Sequence, residues 1–194
     1  MAKAPSPLSR RRFLAVGAGA GLLLGVGGAL VARGGGRAHY RSLHPPGVRP
    51  RVFSDKAFGV LCALCERLLP GKDASDPTRP DAREARIAER IDRELTFHTP
   101  RMKRDVELAL LFVEHGGLLH ASTTRFTRLV PLDQDALLQK LLEGAAFERQ
   151  AAGALKLLAL FFYYSDERTW KGLHYAGPVG ILRKRPPADS NPLA

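Results

Sequence analysis

The chain has 194 residues, 45% of them hydrophobic, enough for one domain with its own core and too few for two large ones. Its formal charge of +11 belongs to the two ends: residues 1–54 hold nine Lys/Arg and no acid, whereas residues 55–182 hold eighteen of each sign. A neutral body lacks the basic footprint of nucleic-acid recognition, and two cysteines exclude a disulfide-dense scaffold.

The first element is the uncharged run from Phe13 to Ala32, flanked by Arg12 and Arg33. As a helix its twenty residues would reach about 30 Å, one hydrocarbon core, but six of them are glycine, which dilutes both hydrophobicity and helix propensity. A short basic region followed by a modest apolar one reads as an export signal rather than a plain anchor with its basic end in the cytoplasm. The specific part is Ser9-Arg10-Arg11-Arg12-Phe13-Leu14. It resembles the twin-arginine translocation signal, with Ala15 in place of that pattern's final lysine. Gly36-Arg37-Ala38 and Gly27-Gly28-Ala29 put small residues at cleavage offsets without a clean Ala-x-Ala, so both a cleaved signal and a retained tether stay open. The expected organisation is an export signal over 1–38, a Gly/Pro/Arg-rich linker over 39–53, a helical domain over 54–180 and a basic, proline-rich tail over 181–194.

Within the domain, Ser54 caps a predicted helix in which Phe58, Leu61, Cys62, Cys65, Leu68 and Leu69 recur at helical steps until Pro70-Gly71. Asp81 and Glu84 form a capping-box pattern ahead of a helix with Ile87, Ile91 and Leu95 on one stripe, and with Glu89–Arg93 and Arg90–Glu94 pairs facing water. Pro100 separates this from a helix lined by Met102, Val106, Ala109, Leu110 and Val113. Pro131 opens another, with Leu137, Leu138, Leu141 and Leu142 inward. The last helix, near 146–164, becomes apolar all round from Leu157 to Tyr164, too short to span a bilayer and expected to be the central buried helix. With no alternating run and no hairpin signal, the fold class is all-α: a single bundle of about five helices.

Chemistry is sparse along this chain. Cys62 and Cys65 lie mid-helix on the apolar stripe with no preceding strand, so core thiols are favoured over a disulfide or a redox pair. The six histidines form no metal or metalloprotease spacing and are expected at the surface or at caps, which leaves open a haem ligand offered to a partner. No nucleophile elbow, phosphate loop or dinucleotide fingerprint occurs in the body. The stretch Tyr163–Gly180 concentrates the single Trp and three of the four Tyr. It reads as a docking surface centred on Trp170, Lys171, Tyr175, Gly177 and Pro178, or as aromatics packed onto the bundle.

Four blocks in order, "LCERLLPGKDASDP", "IAERIDREL", "RFTRLVPLDQDALLQKL" and "FFYYSDERTWKGLHYAGPVG", resemble the gluconate 2-dehydrogenase subunit 3 family over roughly Ala57 to Gly180. The resemblance implies a small non-catalytic subunit with no cofactor of its own. It implies export by the twin-arginine translocase to the bacterial periplasm, with inner-membrane association. It also implies a large FAD-dependent partner of the glucose–methanol–choline type acting on a sugar, sugar acid or alcohol, with a c-type cytochrome carrying haem alongside. A flavoprotein that folds around FAD in the cytoplasm must cross folded, and a signal-bearing partner lets it do so. Two other expectations stand beside this one: an exported thiol-redox protein using Cys62 and Cys65, and a free-standing tethered helical binding module.

Overall fold

Proline, serine and threonine set the helix starts. Ser54 Oγ accepts the Ala57 N–H at 3.3 Å, and Thr99 Oγ1 accepts the Met102 N–H at 3.3 Å. Pro100 and Pro131 occupy first helical positions, where no N–H is needed. The computed structural model describes residues 37–72, 74–120, 123–173 and 175. The chain divides into two units, 1–39 and 40–194, and of the first only residues 37–39 are described. The export motif from Ser9 to Leu14 lies outside the described residues, as do His174, Gly177, Pro178 and the tail.

Among the described residues six α-helices follow in order: α1 (Arg37–Ser42), α2 (Asp55–Leu68), α3 (Ile87–Glu94), α4 (Pro100–His115), α5 (Pro131–Glu143) and α6 (Ala146–Tyr164). Short 3-10 turns cover Leu95–Phe97, Gly116–His120, Phe126–Arg128, Glu167–Thr169 and Lys171–Leu173. No strand occurs among the described residues, and the fold is the expected all-α bundle.

The centre of the bundle differs from the expectation. Every residue from Ala57 to Cys65 of α2 is buried, so α2, not α6, is the helix enclosed on all sides. Its small side chains make this possible. A Cβ on Gly59 would stand 2.8 Å from the Tyr40 carbonyl oxygen, so only glycine lets α1 approach this closely. α6 packs against α2, α3, α4 and α5, yet Leu157 and Phe161 are 70% and 69% exposed. Its surroundings cover one side of a segment that is apolar on all sides.

The segment expected as a linker is packed instead. Tyr40 and Phe53 are buried, and the Asp92 carboxylate accepts the backbone N–H groups of Arg51 (2.6 Å), Val52 (3.0 Å) and Phe53 (3.1 Å). No alternation or period marks such a segment; a distant carboxylate orders it. The Asp81–Glu84 capping box also forms, with the Glu84 N–H on Asp81 Oδ1 at 2.8 Å, but it closes a separate turn. Arg86 has a left-handed backbone (φ 54°), which breaks the chain there and delays α3 to Ile87. In α4, Leu110 and Val113 are inward as expected, whereas Met102, in the first turn among exposed neighbours, is itself exposed.

Candidate partner-docking surface

The end of α6 is built around an inward and an outward aromatic. Tyr163 is fully buried and its hydroxyl donates to the Pro80 carbonyl at 3.0 Å, which pins the helix end. On the opposite side Leu157, Phe161 and Tyr164 recur at four- and three-residue steps and form one outward row. With Leu160 and Ser165 they line an open depression of about 520 Å³.

Beyond Ser165 the chain folds back onto this row. Asp166 caps the following turn through the Arg168 N–H at 3.1 Å, and Thr169 Oγ1 donates to the Asp166 carbonyl at 2.7 Å. Trp170 Nε1 then donates to the Tyr164 carbonyl at 2.7 Å, so the indole adjoins the end of the row. Tyr175 meets Trp170 edge to face at 5.3 Å, with Lys171, Leu173 and Tyr175 all exposed. Trp170, Lys171 and Tyr175 are thus brought together at the surface. Leu157, Phe161 and Tyr164 join them there, residues that sequence reasoning placed inside. The signal was present, since seven bulky residues among the eight from Leu157 to Tyr164, with no polar side, have more perimeter than a small bundle can cover.

The interior offers less chemistry. Cys62 and Cys65 are free and buried; burial pushes the Cys62 thiol up to about 12 and the Cys65 thiol up as well. Thiolates are the reactive form, and these two unpaired thiols are held protonated within the core. Both should react with an aromatic disulfide reagent about a thousandfold more slowly than a free cysteine while the protein is folded, and at the ordinary rate in denaturant. Labelling of the native protein at the ordinary rate would overturn that assignment.

A second interior cluster surrounds Glu114, whose carboxylate is 0% exposed. It accepts the Tyr40 hydroxyl at 2.8 Å, the Thr127 hydroxyl at 2.9 Å and the Thr127 N–H at 3.1 Å. Arg125 Nη1 donates to the Tyr40 oxygen at 3.1 Å. Burial, then the Glu114 charge, pushes the Tyr40 phenol up to about 12, so it stays a neutral donor. Beside it, Lys56 Nζ donates to His115 Nε2 at 2.8 Å. Burial and then the Lys56 charge hold the imidazole down to about 4. His115 is therefore a neutral, half-buried acceptor rather than a surface histidine. These groups satisfy one another, and the cluster reads as a polar tie between α1, α2, α4 and the turn before α5.

Among the described residues no group of three or more His, Cys, Asp and Glu could hold a metal ion, and no helix is long and apolar enough to cross a membrane. The family model described as "Gluconate 2-dehydrogenase subunit 3" matches residues 55–177. No curated protein and no solved structure matches the chain.

Proposed function

Because the chain belongs to the gluconate 2-dehydrogenase subunit 3 family, we propose that it is the non-catalytic accessory subunit of a membrane-associated, periplasmic, FAD-dependent dehydrogenase. The substrate class is a sugar, sugar acid or alcohol. FAD belongs to the large glucose–methanol–choline type partner, and haem to a c-type cytochrome where one completes the electron path. The observation that carries the docking part is the outward row Leu157, Phe161 and Tyr164, continued by Trp170 and Tyr175. Large side chains left in water at one end of a helix are stabilised by about 1.5–3 kcal/mol each when a partner buries them. Trp and Tyr are the residue types that dominate such interfaces. The export part rests on Arg10, Arg11, Phe13 and Leu14, which match the twin-arginine pattern and would carry the folded flavoprotein across with this chain.

Affinity purification of the tagged full chain from host membranes tests both parts. The expected product is a complex with a large flavin-containing protein that oxidises a sugar, sugar acid or alcohol. Leu157→Asp with Phe161→Asp changes two exposed positions, so the fold is kept while capture of that flavoprotein falls by roughly a hundredfold. Arg10→Lys with Arg11→Lys leaves both proteins in the cytoplasm. Recovery of the chain with no flavoprotein sinks the proposal.

A further inference from the structure

Next to the apolar depression lies a second concavity of quite different character. Six arginines, Arg49, Arg51, Arg86, Arg90, Arg93 and Arg168, line a cleft of about 610 Å³ between the segment before α2, α3 and the turn after α6. Four carboxylates share it, but each is already engaged. Glu84 pairs with Lys72 at 2.6 Å, Asp166 with Arg168 at 2.7 Å, and Glu89 with Arg86. Asp92 is turned inward onto the three backbone N–H groups of residues 51–53. The expected Glu89–Arg93 and Arg90–Glu94 pairs do not form. Glu89 reaches back to Arg86, and Arg90 Nη2 donates to Ser165 Oγ at 2.7 Å while its guanidinium lies 5.7 Å from the Phe162 ring centre.

That leaves Arg49, Arg51 and Arg93 exposed, with no ion pair from their guanidiniums to a carboxylate among the described residues, beside an Arg90 held in place by Ser165 and Phe162. Ser165 lines both concavities, so the guanidinium cleft continues directly into the apolar row. Guanidiniums are planar forks matched to carboxylates, and they are weakly hydrated enough to be buried at an interface. We infer that the cleft receives a carboxylate-rich segment of the partner polypeptide, whose apolar part covers Leu157 and Phe161. This rests on the docking reading above and adds the partner's charge and polarity to it. An apolar centre bordered by uncompensated charge gives register and a salt-dependent on-rate.

The test uses the full chain in detergent and follows the fluorescence of Trp170, the sole tryptophan, which is bonded to the carbonyl next to Ser165. The probe is a capped hexaglutamate peptide. It should bind at low ionic strength and weaken as salt screens the cleft. Arg49→Ser/Arg51→Ser/Arg93→Ser should weaken it by roughly tenfold or more, since these side chains face charge across the interface rather than supporting the fold. Arg104→Ser/Arg128→Ser/Lys140→Ser removes the same charge outside the cleft and should leave binding unchanged. Equal losses from both triple variants, no loss from the first, or a preference for inorganic pyrophosphate or anionic phosphatidylglycerol vesicles over the peptide would each overturn the assignment. Flavoprotein capture separates the two readings. If the first triple variant captures it with unaltered salt dependence while Leu157→Asp/Phe161→Asp does not, the acidic segment fails and the docking face stands. If the aspartate pair leaves capture intact, the docking face itself fails.

Discussion

Glu114→Ala lowers the unfolding free energy by about 3–5 kcal/mol, as expected when a buried, fully hydrogen-bonded charge is deleted and three donors lose their acceptor. The alanine removes the acceptor for the Tyr40 hydroxyl and for both the hydroxyl and the N–H of Thr127, none of which can reach water from the core. It also removes a negative charge that acts on Lys56. A domain of this size is stable by about 5–15 kcal/mol, so the loss is a large fraction of the total. Urea titration measures the loss directly. Glu114→Gln keeps the volume and one acceptor oxygen and should cost markedly less. Tyr40→Phe should cost less in the Glu114→Ala background than in the parent, because the hydroxyl has already lost its carboxylate acceptor and keeps only the bond from Arg125. A Glu114→Ala protein as stable as the parent would mean that the carboxylate is not the tie described.

Asp92→Ala is expected to cost about 3 kcal/mol through a different mechanism, the loss of three charge-assisted bonds to successive backbone N–H groups. The effect is directional. Asp92 is the acceptor that holds residues 51–53 against α3, and Phe53 is buried just ahead of α2. Amide hydrogen exchange should therefore rise first across residues 44–53, while α5 and α6 keep most of their protection. Asp92→Asn retains an acceptor for two of the N–H groups and should recover more than half of the loss. Uniform loosening of the whole domain would instead assign Asp92 a place in the global core.

Both residues show why the segment 39–53 could not be recognised as part of the domain. Glycine, proline and arginine without an apolar period carry no local instruction to fold. What orders the segment is Tyr40 against Gly59, the Tyr40 hydroxyl on Glu114, and the backbone of residues 51–53 on Asp92. These contacts join residues tens of positions apart, and no window of sequence contains them.

The functional surface divides in the same way. The aromatic cluster after α6 was legible because Trp and Tyr are rare in this chain and fall together there. That Trp170 folds back onto Tyr164, and that Arg90 leaves Glu94 for Ser165, depends on where α3 and α6 meet. A helical charge pair is worth a few tenths of a kcal/mol, little enough for a neighbouring hydroxyl and ring to redirect it.

By itself the sequence determined the helical class, the ends of most helices, the family and the burial of Cys62 and Cys65, because caps, prolines and 3.6-residue periodicity act within a few residues. Two segments, Ala57–Cys65 and Leu157–Tyr164, are apolar on every side, and periodicity cannot say which becomes the centre. Tertiary structure decided it by size. Gly59, Cys62, Ala63 and Cys65 let neighbours close around α2 at short distance. The leucines and aromatics of α6 are too broad to be enclosed by the helices available, so one row of them is left facing out, where a partner can cover it.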